Sequence, residues 1–271
     1  MSETVTQKQE RWTEAVFRSA LYELLSRSVS YPTAERMARL HAEIVPLLRA
    51  VQSDEPELNG ALAALLASTE TPIGTLQSAY NCLFSHITSS DCPAYETAFS
   101  SRDVFQQAQV MADVAGFYRA HGVRAGGEER ERPDHIGPEL GFMGFMARKE
   151  AYALKHLAAE RVDECYRTQA TFLRDHLGCW GPALGLRVSQ LASAPFYRDA
   201  GRLISVWLRA DMRRLGVRPA HSRDEAQPFP EPADDTCGTD AGDCALDCGF
   251  SAGVAAAPGP GRVVIDPASI R

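Results

Sequence analysis

The sequence has no hydrophobic run long enough to cross a membrane. A membrane helix needs about 18 or more continuous apolar residues, and no stretch of the chain approaches that length. Residues 1–10 are polar and hold no apolar signal region. We therefore expect a protein that stays in the cytoplasm, where it is made, without membrane insertion.

The chain also lacks an excess of positive charge. Its net charge is −7 at pH 7, and residues 221–271 hold nine acidic and three basic side chains. The first 220 residues are therefore nearly neutral, with a net charge of −1. Because a near-neutral body has no general attraction for phosphate backbones or anionic lipid, nucleic acid and membrane surfaces are weak candidates as partners.

Catalytic signatures are missing as well. The sequence has no dinucleotide-binding glycine motif, no phosphate loop, no H-E-x-x-H and no G-x-S-x-G. His135 and Glu139 stand four residues apart on one predicted helix face, but two ligands are too few for a catalytic metal. These absences predict a protein that is not an enzyme and needs no cofactor, and they leave a nucleotide-hydrolysing activity without support.

The seven cysteines are not spaced as a disulfide framework. Four of them lie in apolar or helical contexts, which favours reduced thiols. Cys237, Cys244 and Cys248 lie in the acidic C-terminal region, without the Cys-x-x-Cys pair and fourth ligand of a typical structural zinc site. Two interpretations stay open for these three residues: metal or cluster contact, or a flexible tail with redox-sensitive thiols.

Helical periodicity is what the sequence has in abundance. Apolar residues recur at helical spacing in residues 12–25, 37–51, 58–66, 76–87, 104–118, 136–154, 162–177, 184–191 and 196–215. Pro46 predicts a kink or an early end, Gly122 stands where a helix should end, and Gly178 with Gly181-Pro182 suggests a break. No run of β-branched residues is longer than that at residues 263–265.

This pattern predicts an all-α fold, with a single helical-bundle domain of about eight to ten helices in residues 1–220. Residues 221–271 are rich in Pro, Gly, Asp and Ala and hold few large apolar side chains. Such a segment cannot bury enough surface to offset the entropy lost on ordering. We therefore predict a mostly disordered C-terminal tail.

Two short regions stand out within the helical pattern. The first comprises YNCLF at residues 80–84 and CPAYE at residues 92–96. The second is RPDHI at residues 132–136, which continues through residues 139–143. In order, spacing and helical setting these segments resemble the TorD/DmsD/NarJ family of redox-enzyme maturation chaperones, over about residues 12–215.

The resemblance implies an all-helical chaperone whose partners are the catalytic-subunit precursor of a molybdoenzyme and its twin-arginine signal peptide. Such a chaperone holds the precursor until its cofactor is inserted and prevents premature export. The CPAYE segment and the acidic, cysteine-containing tail look more like the branch that serves type II enzymes of the dimethyl sulfoxide reductase group. Whether the signal peptide or the folded part of the precursor is the main contact stays open.

The resemblance also assigns the contacts with the precursor. A twin-arginine signal presents two guanidinium groups and an apolar stretch, so its receptor needs a carboxylate beside an apolar groove. The assigned residues are Tyr80, Leu83, Phe84, Pro93, Tyr95, Glu96, Pro133, Asp134 and His135. Asp134 would accept an arginine, and the titration of His135 near neutral pH would modulate release.

Simpler interpretations stand beside these roles. Asp134 can instead cap the helix that begins near Gly137, Leu83 fits core packing better than a binding surface, and Tyr95 and Glu96 can be loop anchors. A rival function from another class is a helical metal-binding or redox carrier protein that uses the C-terminal cysteines.

Overall fold

The structure is a computed structural model that describes residues 5–49, 53–84, 92–100, 104–125, 131–221 and 263–265. Its helices are α1 (Val5–Ser28), α2 (Ala34–Arg39), α3 (Val45–Arg49), α4 (Pro56–Ser68), α5 (Ile73–Phe84), α6 (Glu96–Ser100), α7 (Val104–Ala120), α8 (Ile136–His156), α9 (Ala159–Asp175), α10 (Leu177–Leu191) and α11 (Pro195–Arg214). Helices α2 and α3 are joined without a break by a π-helical turn, Leu40–Ile44. The described chain thus has ten separate helical stretches, which confirms the predicted all-α class.

The predicted irregularity at Pro46 takes the form of that π-helical turn. The turn ends at Ile44, directly before the α3 segment that contains Pro46. Proline has no backbone N–H to donate to the carbonyl four residues earlier, and its ring crowds that carbonyl. A locally widened helix accommodates the residue, so the helix continues through this position without a loop.

Gly178 and Gly181 were wrongly interpreted as a break between helices. The non-helical residue is His176, and both glycines lie in the first turns of α10. A Cβ on Gly178 would lie 2.2 Å from the carbonyl oxygen of Leu173, and one on Gly181 would lie 2.6 Å from Cδ1 of Leu208. These glycines are therefore needed for close packing.

The tail prediction is tested only at one short strand. Most of residues 221–271, including Cys237, Cys244 and Cys248, lie outside the described residues, so the predicted disorder and the rival metal or redox function both stay predictions. Strand β2 (Val263–Ile265) pairs antiparallel with β1 (Val123–Ala125), with Val123 opposite Ile265. The β-branched run noted in the sequence thus contacts the helical body.

A buried charged network joins four helices of the core. The Arg18 guanidinium of α1 donates from Nε and Nη2 to both carboxylate oxygens of Asp211 in α11, at 2.7 and 2.8 Å. Tyr22 also donates to Asp211, at 2.7 Å, while Glu150 of α8 accepts from Arg18 at 3.1 Å and from Gln169 of α9 at 2.8 Å. Burial alone would raise the pKa of Asp211, but the charge of Arg18 and the hydrogen bonds from Arg18 and Tyr22 together outweigh burial, and the pKa is lowered.

The helices pack closely through small residues. A Cβ on Gly201 of α11 would lie 2.6 Å from the carbonyl oxygen of Gly185 in α10, so the two backbones touch at this crossing.

In the part of the chain that the structure describes, no helix is long and apolar enough to cross a membrane.

Candidate functional site

The CPAYE and RPDHI segments of the sequence meet as paired stretches of backbone. Tyr95 and His135 form an isolated antiparallel bridge. The backbone N–H of Glu96 donates to the carbonyl oxygen of Asp134 at 2.8 Å, and that of Ile136 donates to Ala94 at 2.9 Å. The segments before α6 and before α8 are therefore held side by side, and six of the nine predicted residues lie on them.

Asp134 is the buried centre of this arrangement. Its side chain is 0% exposed, and Oδ2 accepts hydrogen bonds from the hydroxyl and backbone N–H of Thr97 at 2.8 and 3.3 Å. Arg132 donates to Oδ1 from Nε at 2.9 Å and to Oδ2 from Nη2 at 2.8 Å. The carboxylate is thus fully coordinated by a hydroxyl, an amide and a two-pronged guanidinium.

Tyr95 and Thr97 complete the surroundings of that guanidinium. The Cζ atom of Arg132 lies 4.5 Å from the centre of the Tyr95 ring, within the range of a cation–π contact. Nη2 of Arg132 also donates to Oγ1 of Thr97 at 2.7 Å. The Tyr95 hydroxyl donates to Glu131 at 3.3 Å, and burial, followed by the charge of Glu131, raises the pKa of Tyr95.

His135, and not Asp134, caps helix α8. Its Nδ1 accepts the backbone N–H of Gly137 at 3.0 Å, and its ring packs edge-on against Tyr95 with the centres 5.2 Å apart. The interpretation of Asp134 as the α8 cap is therefore wrong; its carboxylate instead accepts the N–H of Thr97 in the first turn of α6. The loop-anchor interpretation of Tyr95 agrees with these contacts.

Pro133 and its neighbours are fixed from the side of α7. The Tyr118 hydroxyl donates to the carbonyl oxygen of Pro133 at 2.8 Å, while Pro93 and Pro133 both stay half-buried. Because the carbonyl of Pro133, the carboxylate of Asp134 and the imidazole of His135 each have a separate partner, the whole tripeptide is rigidly positioned.

A second buried acidic cluster lies behind the motifs. Both carboxylate oxygens of Glu96 lie 3.2 Å from Nδ1 of His176, and Trp180 donates to Glu139 at 3.2 Å. Burial, followed by the charge of Glu96, raises the pKa of Glu139 well above the ordinary value, which favours its protonated form. Sequence reasoning missed His176 and Trp180, because nothing in the local sequence separates them from core residues.

Tyr80 and Phe84 pack in an aromatic cluster with Tyr31 and Tyr197. Their rings lie 5.0 Å apart and pack against Tyr197 at 6.1 and 6.0 Å, and Tyr80 also contacts Tyr31 at 5.4 Å. Both rings stay half-buried, whereas Leu83 is only 4% exposed, which confirms the core interpretation of Leu83. Residues 85–91, which connect Phe84 to the motif segment, lie outside the described residues.

An apolar cavity of about 270 Å³ opens between α1, the π-helical turn, α3 and α8. Val16, Ala20, Ile44, Leu47 and Ala151 form its apolar wall, and charged side chains border it. Leu47 is 50% exposed there. The sequence pattern placed Leu47 in an ordinary apolar helical stripe. The spacing of a stripe does not show which of its residues is exposed.

The fold and the site define an all-α protein in which the CPAYE and RPDHI segments meet around one buried carboxylate. The model of the nitrate reductase delta subunit family matches residues 48–184, half of the chain, and the chain therefore belongs to this family. The resemblance to the TorD/DmsD/NarJ chaperones is thereby confirmed.

Individual relatives carry the names of assembly chaperones. The chain is 29% identical over 116 residues to the chlorate reductase assembly chaperone protein of Ideonella dechloratans, covering 42% of this chain and 58% of that protein. It is 30% identical over 108 residues to chaperone protein TorD of Vibrio cholerae, covering 40% and 46%. It is 23% identical over 193 residues to the perchlorate reductase assembly chaperone protein of Dechloromonas aromatica, covering 69% and 85%. The chain thus spans about half the length of the first two of these relatives.

Proposed function

We propose that this protein is a cytoplasmic, system-specific chaperone for the assembly of a molybdenum-cofactor oxidoreductase. It binds the precursor of the catalytic subunit through the twin-arginine signal peptide, the apo subunit or both. It assists cofactor insertion and prevents premature export, and it is not itself an enzyme. Membership of the family and the names of the relatives support this assignment.

One observation carries the proposal: the motif segments surround a guanidinium group, that of Arg132, and we infer that they can also receive one from the precursor. Asp134 offers two carboxylate oxygens, Thr97 offers a hydroxyl, and Tyr95 offers an aromatic face. Paired N–H bonds to a carboxylate together with stacking on a ring are the interactions that distinguish arginine from lysine. A signal with two adjacent arginines presents the matching group.

An apolar segment of the precursor needs an apolar surface on the chaperone. We assign this surface to the half-exposed rings of Tyr80 and Phe84, which lie in a cluster of four aromatic side chains. Aromatic rings bury a large apolar area for a small loss of side-chain freedom, which suits a surface that binds apolar helices. We assign Pro93 and Pro133 to the rim of the precursor-binding site and His135 to modulation of release.

The client belongs, in our proposal, to the type II branch of the dimethyl sulfoxide reductase group. The names of three relatives support this branch: the chlorate and perchlorate reductase chaperones, and the selenate reductase assembly chaperone protein of Thauera selenatis, which is 26% identical over 107 residues. A competition between precursors of this branch and an unrelated twin-arginine precursor tests the branch, since a true client should be retained preferentially.

The test of the function is a pull-down with the molybdoenzyme precursor encoded beside the gene for this protein. The full chain should retain the precursor, and deletion of the signal separates contact with the signal from contact with the folded subunit. Changing Asp134 to Ala should weaken retention at least about tenfold, the loss expected when a charge-assisted hydrogen-bond network is removed.

Asp163→Ala is the matched control, because Asp163 is an exposed aspartate on α9 and should leave retention unchanged. Circular dichroism checks that both variants are folded. Failure of the full chain to retain any molybdoenzyme precursor would overturn the proposed function. Equal retention by the folded Asp134→Ala variant would overturn the site and leave the chaperone assignment standing.

A further inference from the structure

Arg132 occupies the place that an arginine of a bound peptide would take. Its Nε and Nη2 donate to the two carboxylate oxygens of Asp134, at 2.9 and 2.8 Å. Nη2 also donates to Thr97, at 2.7 Å, and the guanidinium carbon lies 4.5 Å from the centre of the Tyr95 ring. All parts of the guanidinium receptor are therefore in use within the chain.

The receptor and its occupant differ sharply in exposure. The side chain of Asp134 is 0% exposed, whereas that of Arg132 is 42% exposed. Arg132 thus reaches Asp134 from the solvent side, and its side chain can swing into water without opening the core. The Asp134 carboxylate has no such freedom, because Thr97 holds it in place through two hydrogen bonds.

We propose that Asp134, Thr97 and Tyr95 form a guanidinium receptor regulated by exchange, in which Arg132 is the internal occupant and an arginine of the bound peptide displaces it. This inference rests on the proposed function, because it states how that site is kept closed and how it is opened. The ligand is an arginine-bearing peptide, and the competitor is part of the receptor's own loop.

Exchange solves an electrostatic problem at the site. A buried carboxylate left without a partner is strongly destabilising, so an empty receptor around Asp134 would be costly. With Arg132 in place before binding and a guest arginine in place afterwards, the carboxylate is paired in both states. A lysine cannot replace either one, because an ammonium lacks the planar pair of N–H donors.

Exchange also makes binding selective. The gain at Asp134 is partly offset by the loss of the Arg132 pair, so a lone arginine gains less than it would at an empty receptor, and neighbouring contacts add to the affinity. Glu131, whose carboxylate accepts the Tyr95 hydroxyl at 3.3 Å, places a second acidic group beside the receptor. A peptide with two adjacent arginines can use both carboxylates, which favours paired over single arginines.

The first experiment removes the occupant and supplies its head group. The Arg132→Ala variant of the full chain is melted with and without methylguanidinium, with methylammonium as the matched probe. The thermal midpoint of the variant should rise with methylguanidinium and stay unchanged with methylammonium. The thermal midpoint of the wild type should respond to neither compound. An Arg132→Ala/Asp134→Asn double variant should lose the response. Arg161→Ala, which removes an exposed arginine paired with Glu164, should never show it.

The second experiment measures competition by calorimetric titration of a peptide with two adjacent arginines. The peptide should bind Arg132→Ala at least about tenfold more tightly than the wild type, the factor expected if Arg132 fills the receptor at least nine-tenths of the time. A peptide with two lysines should show no such gain. If Arg132→Ala does not fold, Arg132→Lys takes its place, and the arginine peptide should again bind it more tightly than the wild type.

Two results would overturn the exchange: no stabilisation of the folded variant by methylguanidinium, or affinity for the arginine peptide that is unchanged or weaker than in the wild type. The methylguanidinium melt involves no precursor. If the melt shows stabilisation but the pull-down fails, the receptor is retained and the proposed client is rejected. If the pull-down succeeds but the melt shows no stabilisation, only the exchange is rejected.

Discussion

The molecule contains the same ion pair in two different settings. Arg18 and Asp211 form a two-pronged pair between α1 and α11, and Arg132 and Asp134 form another between neighbouring residues of a loop. Each aspartate is 0% exposed, but the Arg18 side chain is 1% exposed and that of Arg132 is 42% exposed.

This difference in access separates a structural pair from a receptor. The core pair is enclosed by helices and further bonded to Tyr22 and Glu150, so neither partner can leave without unfolding. The loop pair has one enclosed partner and one that faces solvent. Similar hydrogen-bond distances therefore support opposite roles, and exposure of the cation decides between them.

The largest effect should follow the loss of the core pair. Asp211→Asn leaves Arg18 buried without its main counter-charge, and we expect a loss of about 3–5 kcal/mol in the free energy of unfolding. Because the pKa of Asp211 is lowered in the fold, the pair's contribution is present above the ordinary aspartate pKa of about 3.9 and is lost as pH falls through the lower folded value. Urea unfolding across pH should show the two proteins converging in acid; a constant difference down to the acid limit would contradict this.

The loop pair should matter less for stability. In Asp134→Asn the released guanidinium of Arg132 reaches water, so we expect a loss of about 1–3 kcal/mol, mainly from the altered bonds to Thr97. The same urea titration at neutral pH provides the comparison. A loss as large as that of Asp211→Asn would show that both pairs are structural and would remove the basis for the distinction.

The smallest effect should come from the aromatic face of the receptor. Tyr95→Leu removes the cation–π contact with Arg132, which we expect to be worth about 0.5–1 kcal/mol at an exposed site. Tyr95→Phe is the control, because it keeps the ring and loses the hydrogen bond to Glu131. Urea unfolding should give a lower free energy of unfolding for the Leu variant than for the Phe variant; the reverse order would exclude stacking of Arg132 on the ring as a stabilising contact.

Helix content could be predicted from the sequence because it depends on local spacing. The stripe from Trp12 to Leu25 lies within α1, and Pro46 produced an irregular turn where it was expected. The position of Gly178 inside α10 was mispredicted, since a glycine needed for packing against Leu173 and a glycine that ends a helix look the same in one sequence.

The candidate site was predictable only in part. The resemblance singled out the Tyr95 and Asp134 segments, which the structure pairs. It assigned Asp134 to an arginine of the bound precursor and not to a residue of the chain itself. Occupation by Arg132 was not foreseen, although this residue stands only two positions away, because sequence proximity does not reveal where a long flexible side chain points. Likewise, the ring contacts of Tyr80 with Tyr31 and of Phe84 with Tyr197 could not be predicted, because they arise from packing between residues far apart in the sequence.

The most direct test of the account is a crystal structure of the full chain bound to a peptide with two adjacent arginines. We predict that a peptide guanidinium lies between Asp134 and the Tyr95 ring, bonded to Thr97, with the side chain of Arg132 swung toward solvent. A complex in which Arg132 still holds Asp134 while the peptide arginines bind elsewhere would contradict both the receptor and the exchange.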